Sequence, residues 1–146
     1  MRIQDHKLAW RWIDPAYAVL PEEILVQMQV VLPEEARELH NRALKFLGNH
    51  SLSIELRPEI SNAEEAASEV CSNWLKQLQP HLEQPVSLSW DAETALRTTW
   101  EVFISFWPEF CYPSSDDLVV FPESEAWVLL YHHDREFHFG RRSGKA

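Results

Sequence analysis

Leu118-Val119-Val120-Phe121-Pro122-Glu123-Ser124-Glu125-Ala126-Trp127-Val128-Leu129-Leu130-Tyr131-His132-His133-Asp134-Arg135-Glu136-Phe137-His138-Phe139 is the stretch whose reading decides the fold. It contains three runs, 118–121, 126–132 and 136–139, rich in the β-branched and aromatic residues that suit pleated backbone. Turn-type residues separate them, and connections this short favour antiparallel neighbours. The prediction is a C-terminal β-meander.

Upstream, Val86, Leu88 and Trp90 alternate with serines, a further strand pattern. Asp91 then reads as the N-cap of a helix reaching about Phe106, with Ala92, Leu96, Phe103 and Trp107 along one side. Little of its circumference is polar, so it is expected to be the central, most buried helix. Ser61 and Glu64 have the spacing of a capping box, and Ala63, Ala67, Val70, Trp74 and Leu78 trace one helical face until Pro80. Residues 51–57 alternate, placing Leu52, Ile54 and Leu56 on one side of a strand.

Leu20-Pro21-Glu22-Glu23 and Leu32-Pro33-Glu34-Glu35 each put Pro at a first helical position and two carboxylates in the first turn. The second leads into Ala36, Leu39, Ala43, Phe46 and Leu47, with Arg42 and Lys45 in the last turn and Gly48 as the C′ residue. Residues 9–13, Ala-Trp-Arg-Trp-Ile, read as a short strand or hydrophobic arm before a turn at Asp14-Pro15. Helices followed by β-α-β-α-β-β-β predict an α+β fold, a mostly antiparallel sheet with helices packed on one face.

The chain has 146 residues, 45% of them hydrophobic, with seven Trp and seven Phe. That suffices for one core without metal or disulfide, so a single acidic domain over 1–146 is expected, with no cofactor. No apolar run approaches membrane-spanning length, and the first twenty residues carry Arg2, Asp5, His6, Lys7 and Arg11, which disfavours export. A cytoplasmic protein with Cys71 and Cys111 as reduced thiols is expected. The formal charge is −10, and residues 51–146 hold sixteen acids against seven bases. Arg141, Arg142 and Lys145 make only a short basic end, so nucleic acid is disfavoured as a partner.

Few residues carry candidate chemistry. Ser114-Ser115-Asp116-Asp117 lacks a glycine-flanked nucleophile elbow and reads as a turn. Cys111 needs an adjacent base to act as a nucleophile, and nothing in the sequence supplies that geometry. His132, His133, Asp134 and His138 are the alternative ligand site, since imidazole and carboxylate serve as metal ligands and as acids or bases. On a strand His132 and His133 point to opposite faces, and no HExxH or paired CxxC frame accompanies them, so no metal site is expected. Gly140-Arg141-Arg142 lacks the glycine pattern of a phosphate loop.

Positions 98–134 contain no Lys or Arg, but seven acids and nine aromatics. One reading is ordinary aromatic packing inside solvated acids. The other is an acidic rim with aromatic anchors that captures a cationic protein. The candidate partner-binding residues are Tyr112, Asp116, Asp117, Glu123, Glu125 and Trp127, with Asp116 and Asp117 exposed in the turn before Leu118.

Trp100-Glu101-Val102-Phe103, the run from Phe110 to Asp117, and Tyr131-His132-His133 through Phe139-Gly140-Arg141 resemble small bacterial single-domain proteins, including immunity-type proteins of toxin systems. The resemblance covers about the C-terminal third. It implies a cytoplasmic inhibitor that binds a cognate toxin, with no residue-level correspondence. The competing reading is a small enzyme or ligand-binding domain using the Asp116/Asp117 and His132/His133 region.

Overall fold

A computed structural model describes residues 2–48, 51–52, 59–62, 68–112, 116–133 and 135–141. In chain order its elements are α1 (Trp10–Ile13), α2 (Glu22–Leu25), β1 (Gln29–Val30), α3 (Pro33–Leu44), β2 (Leu47–Gly48), β3 (Ser51–Leu52), β4 (Glu59–Asn62), α4 (Ser68–Leu78), β5 (Pro85–Asp91), β6 (Thr94–Thr99), α5 (Trp100–Ser105), β7 (Leu118–Pro122), β8 (Trp127–His132) and β9 (Glu136–Arg141). Seven strands form one sheet in the order β1-β6-β5-β7-β8-β9-β4, and every pairing is antiparallel. The fold is α+β, and β7, β8 and β9 are the expected meander.

Strand alternation sorts the apolar residues onto the two sheet faces. Leu88, Leu96, Leu118, Val120, Leu129, Tyr131, Phe137 and Phe139 join Trp12, Leu75, Trp100 and Phe103 in one buried cluster. Val119, Phe121, Val128 and Leu130 pack with Ala36, Leu39, Ala43 and Phe46 in another. The expected helical layer on one face is therefore joined by α3 on the opposite face. Small residues permit that approach: Ala36 and Ala43 on α3, with Ala95, Ser87 and Ser89 buried on the strands. Meander strands covered on both faces explain the nearly unbroken apolar run of Trp127 to Tyr131, all buried.

The expected helix from Asp91 to Phe106 is corrected. Residues 94–99 form β6, and the Asp91 side chain accepts a hydrogen bond from the Glu93 N–H at 2.8 Å, closing a hairpin turn instead of capping a helix. Three threonines and the Ala95/Leu96 split between the two faces suit a strand. The helix starts at Trp100, with Thr99 as its N-cap, whose hydroxyl accepts from Val102 N–H at 3.2 Å. Ser61 is likewise no N-cap; it lies in β4 opposite Phe137. In α4 the buried stripe is Cys71, Leu75 and Leu78, while Val70 is exposed. Glu64 and most of the expected 51–57 strand lie outside the described residues, and Gly48 pairs with Ser51 instead of ending α3, whose C-cap is Lys45. Residues 10–13 are helical, not extended.

Candidate functional site

The short α1 helix sends alternate side chains to different destinations. Trp12 is fully buried, and its indole N–H donates to the Glu109 carbonyl at 2.9 Å. Arg11 turns toward the chain ahead of β7, where its guanidinium meets Asp116 in a two-pronged pair: Nη1 to Oδ2 at 2.7 Å and Nη2 to Oδ1 at 3.1 Å. Arg11 is only 4% exposed and Asp116 only 6%. Asp116 is thus not the exposed turn acid the sequence suggested. A carboxylate that accepts an arginine fork and the Tyr112 N–H at 2.9 Å can be taken out of water because its lone pairs are satisfied. The Arg11 Nε is buried without a hydrogen-bond partner among the described residues.

Above this clamp lies an aromatic group. Arg11 Cζ sits 3.9 Å from the centroid of the Tyr112 ring and 5.3 Å from that of Trp10. Trp10 meets Tyr112 at 5.5 Å and Tyr17 at 4.7 Å, both edge-on. Trp10 is 37% exposed and Tyr17 60%, whereas Trp127, expected to be a surface anchor, is buried against Trp100 and Phe139. The Asp14-Pro15 turn presents Tyr17: Asp14 accepts Ala16 N–H through its side chain and Tyr17 N–H through its carbonyl. Burial raises the Glu109 carboxyl above its ordinary value, and it raises the nearby Tyr112 hydroxyl as well, against the opposing pull of Arg11.

Glu123 and Glu125 lie in the β7–β8 turn, where Glu125 adopts φ 59. Arg42, in the last turn of α3, donates from Nε to Glu125 at 2.6 Å and from Nη1 to Glu123 at 2.9 Å. Burial disfavours its charge, but these bonds outweigh that and raise its pKa. One guanidinium thus ties both carboxylates into the fold, while the Glu123 side chain stays 75% exposed. The base-free interval takes its counter-ions from the N-terminal half, Arg11 for Asp116 and Arg42 for the Glu123/Glu125 pair.

Asp117 is exposed as expected and faces the histidines. Its Oδ1 accepts the His133 backbone N–H at 3.0 Å and lies 3.0 Å from His133 Nδ1. Partial burial opposes ionisation of Asp117, but the bonds from His133 outweigh it and hold the carboxyl below its usual value. His132 and His133 do not diverge; their ring centroids are 4.2 Å apart. The strand ends at His132, so His133 belongs to the turn and escapes strand alternation. His138 stands apart on β9, 3.3 Å from Glu136, and Asp134 lies outside the described residues.

Cys71 and Cys111 are both buried thiols. Burial, reinforced by the Asp116 charge, pushes the Cys111 thiol well above its ordinary value, so it remains protonated and unreactive. No helix among the described residues is long and apolar enough to cross a membrane. Sequence reasoning missed Trp10, Arg11 and Tyr17. The available signal was a cation set between two tryptophans in Trp10-Arg11-Trp12, which calls for a buried carboxylate partner. No family model matches the chain, and comparisons with curated proteins and with solved structures found no match.

Proposed function

We propose that the chain is a protein-binding module of the immunity type, a cytoplasmic inhibitor that captures a cationic protein such as a toxin. The observation that supports this reading is the partly exposed group of Trp10, Tyr17 and Tyr112. Tryptophan and tyrosine are enriched among the residues that dominate interface energies, because they bury large areas while losing few rotatable bonds. These rings are held before any partner arrives: Tyr112 rests on Arg11, and its N–H is bonded to Asp116. Preorganisation lowers the ordering cost of binding. A chain of net charge −10 attracts a basic partner at long range, with Asp14 beside Tyr17 and Glu109 near Tyr112 among the nearer carboxylates.

The test is quantitative capture from the native host, comparing the parent chain with the Trp10→Ala/Tyr17→Ala variant. The expected result is one stoichiometric basic protein retained by the parent and lost by a variant that still melts cooperatively. Co-expression should also relieve any growth defect that the partner causes. Equal capture by the variant, or no stoichiometric partner, rejects this surface as the binding site.

A further inference from the structure

We infer that Asp117, His132 and His133 form a site for one late first-row divalent cation, zinc or its neighbours. Sheet register begins the argument. Leu118 pairs with Tyr131, and Val119 with Leu130, so extending the same ladder sets Asp117 beside His132. Val119 and Leu130 belong to the same buried cluster, which assigns Asp117 and His132 to a single sheet face. His133, the first residue beyond β8, folds back to bond Asp117 through both its main chain and its ring.

One ligand atom from each residue lies within 4.8 Å of the others. Tetrahedral zinc with ligands at about 2.0–2.1 Å sets those atoms about 3.4 Å apart, so closing the site takes a movement of roughly 1 Å. The His133 Nδ1 and Asp117 Oδ1 atoms, 3.0 Å apart, already approach that spacing. Side-chain torsion supplies the rest, because Asp117 and His133 are more than half exposed.

Two imidazoles and one carboxylate suit zinc, nickel or copper better than magnesium or calcium, which prefer oxygen-only cages. The cation replaces the proton between His133 Nδ1 and Asp117, and the imidazole then carries its proton on Nε2. Glu136 is the cross-strand partner of His132, so another carboxylate stands one strand away to orient a ring or complete the shell. Water or a side chain of a bound protein fills any remaining position.

The probe is zinc ion alone, titrated calorimetrically into chelator-treated full-length chain. The expected result is a single saturable site, weakened at least about tenfold in His132→Gln, His133→Gln and Asp117→Asn and altered less than about twofold in His138→Gln. On the parent chain, imidazole resonances of His132 and His133 should shift while those of His40 and His81 stay in place. This readout requires no variant, so a substitution that impairs folding leaves the test intact. Absence of a saturable site, undiminished affinity in the Asp117 or His133 variant, or shifts confined to other histidines overturns the assignment.

Discussion

Removing the Asp116 carboxylate should destabilise the fold severely. Both side chains of the clamp are almost wholly buried, at 5% exposure for Arg11 and 7% for Asp116, so solvent screening relieves little of an uncompensated charge. Asp116→Ala leaves the Arg11 cation and the Tyr112 N–H without their acceptor. Breaking a buried pair from one side typically costs about 3–5 kcal/mol, a large share of a stability of about 5–15 kcal/mol. At an m-value of about 2 kcal/mol per molar, the urea midpoint falls by roughly 2 M. The pair as a whole contributes far less, since its Coulomb gain offsets two desolvations and Arg11 Nε finds no hydrogen-bond partner among the described residues. Arg11→Met/Asp116→Ala should therefore recover most of the loss, giving a coupling of at least about 2–3 kcal/mol in a double-mutant cycle. Asp116→Lys sets two cations together beneath Tyr112 and should not fold. Urea titrations followed by tryptophan fluorescence measure each variant. A loss below about 1 kcal/mol for Asp116→Ala, or simple additivity in the cycle, refutes the clamp.

His6 makes stability depend on acidity: its Nε2–H donates to the Ala95 carbonyl at 2.8 Å while Nδ1 accepts the Leu8 N–H, and burial, aided by the Arg11 charge, lowers its pKa despite the Ala95 bond. Below the ordinary value of 6.5 the unfolded chain takes up a proton that the native ring refuses, so stability should fall with pH until the native pKa is passed, by at most about 1.4 kcal/mol per unit; His6→Gln should lack this component, and parallel pH profiles would count against it. Trp127→Ala, emptying a site only 4% exposed, should cost about 3–5 kcal/mol in denaturant titrations, whereas a change below about 1 kcal/mol with lost partner capture would return Trp127 to a surface role. The chelator-treated chain should still unfold cooperatively, with zinc raising its midpoint only by mass action, because Asp117, His132 and His133 belong to neither apolar cluster; a transition lost in chelator and restored by one equivalent of zinc contradicts this.

The meander was legible because each run repeats its apolar residues over a full strand and the gaps are too short for other connections. The 91–106 segment misled because its apolar residues satisfy a helical period as well as a strand period, and the Asx turn at Asp91 resembles an N-cap in one dimension. Asp116 and Asp117 are adjacent and chemically identical, yet one is buried and the other exposed. The difference is the guanidinium 105 residues earlier, and local composition carries no record of such a partner. The histidine group was hidden for a simpler reason: one residue of error at a strand end decides whether neighbouring rings diverge or meet. Surface aromatics were similarly misplaced, because seven of the nine in 98–134 are needed inside and the exposed pair, Trp10 and Tyr17, comes from a segment with no strong periodicity.

The Arg11–Asp116 clamp joins residues made far apart in time. Synthesis proceeds from the N-terminus at about 5–20 residues per second, so the cation precedes its carboxylate by on the order of 5–20 s. Trp12 likewise emerges 97 residues before the Glu109 carbonyl that receives its indole. Throughout that interval Trp12, fully buried in the finished fold, has no cavity to enter, and the nascent chain exposes it to solvent or to a chaperone. The contacts that seat α1 therefore cannot form until the chain through Asp116 has been made.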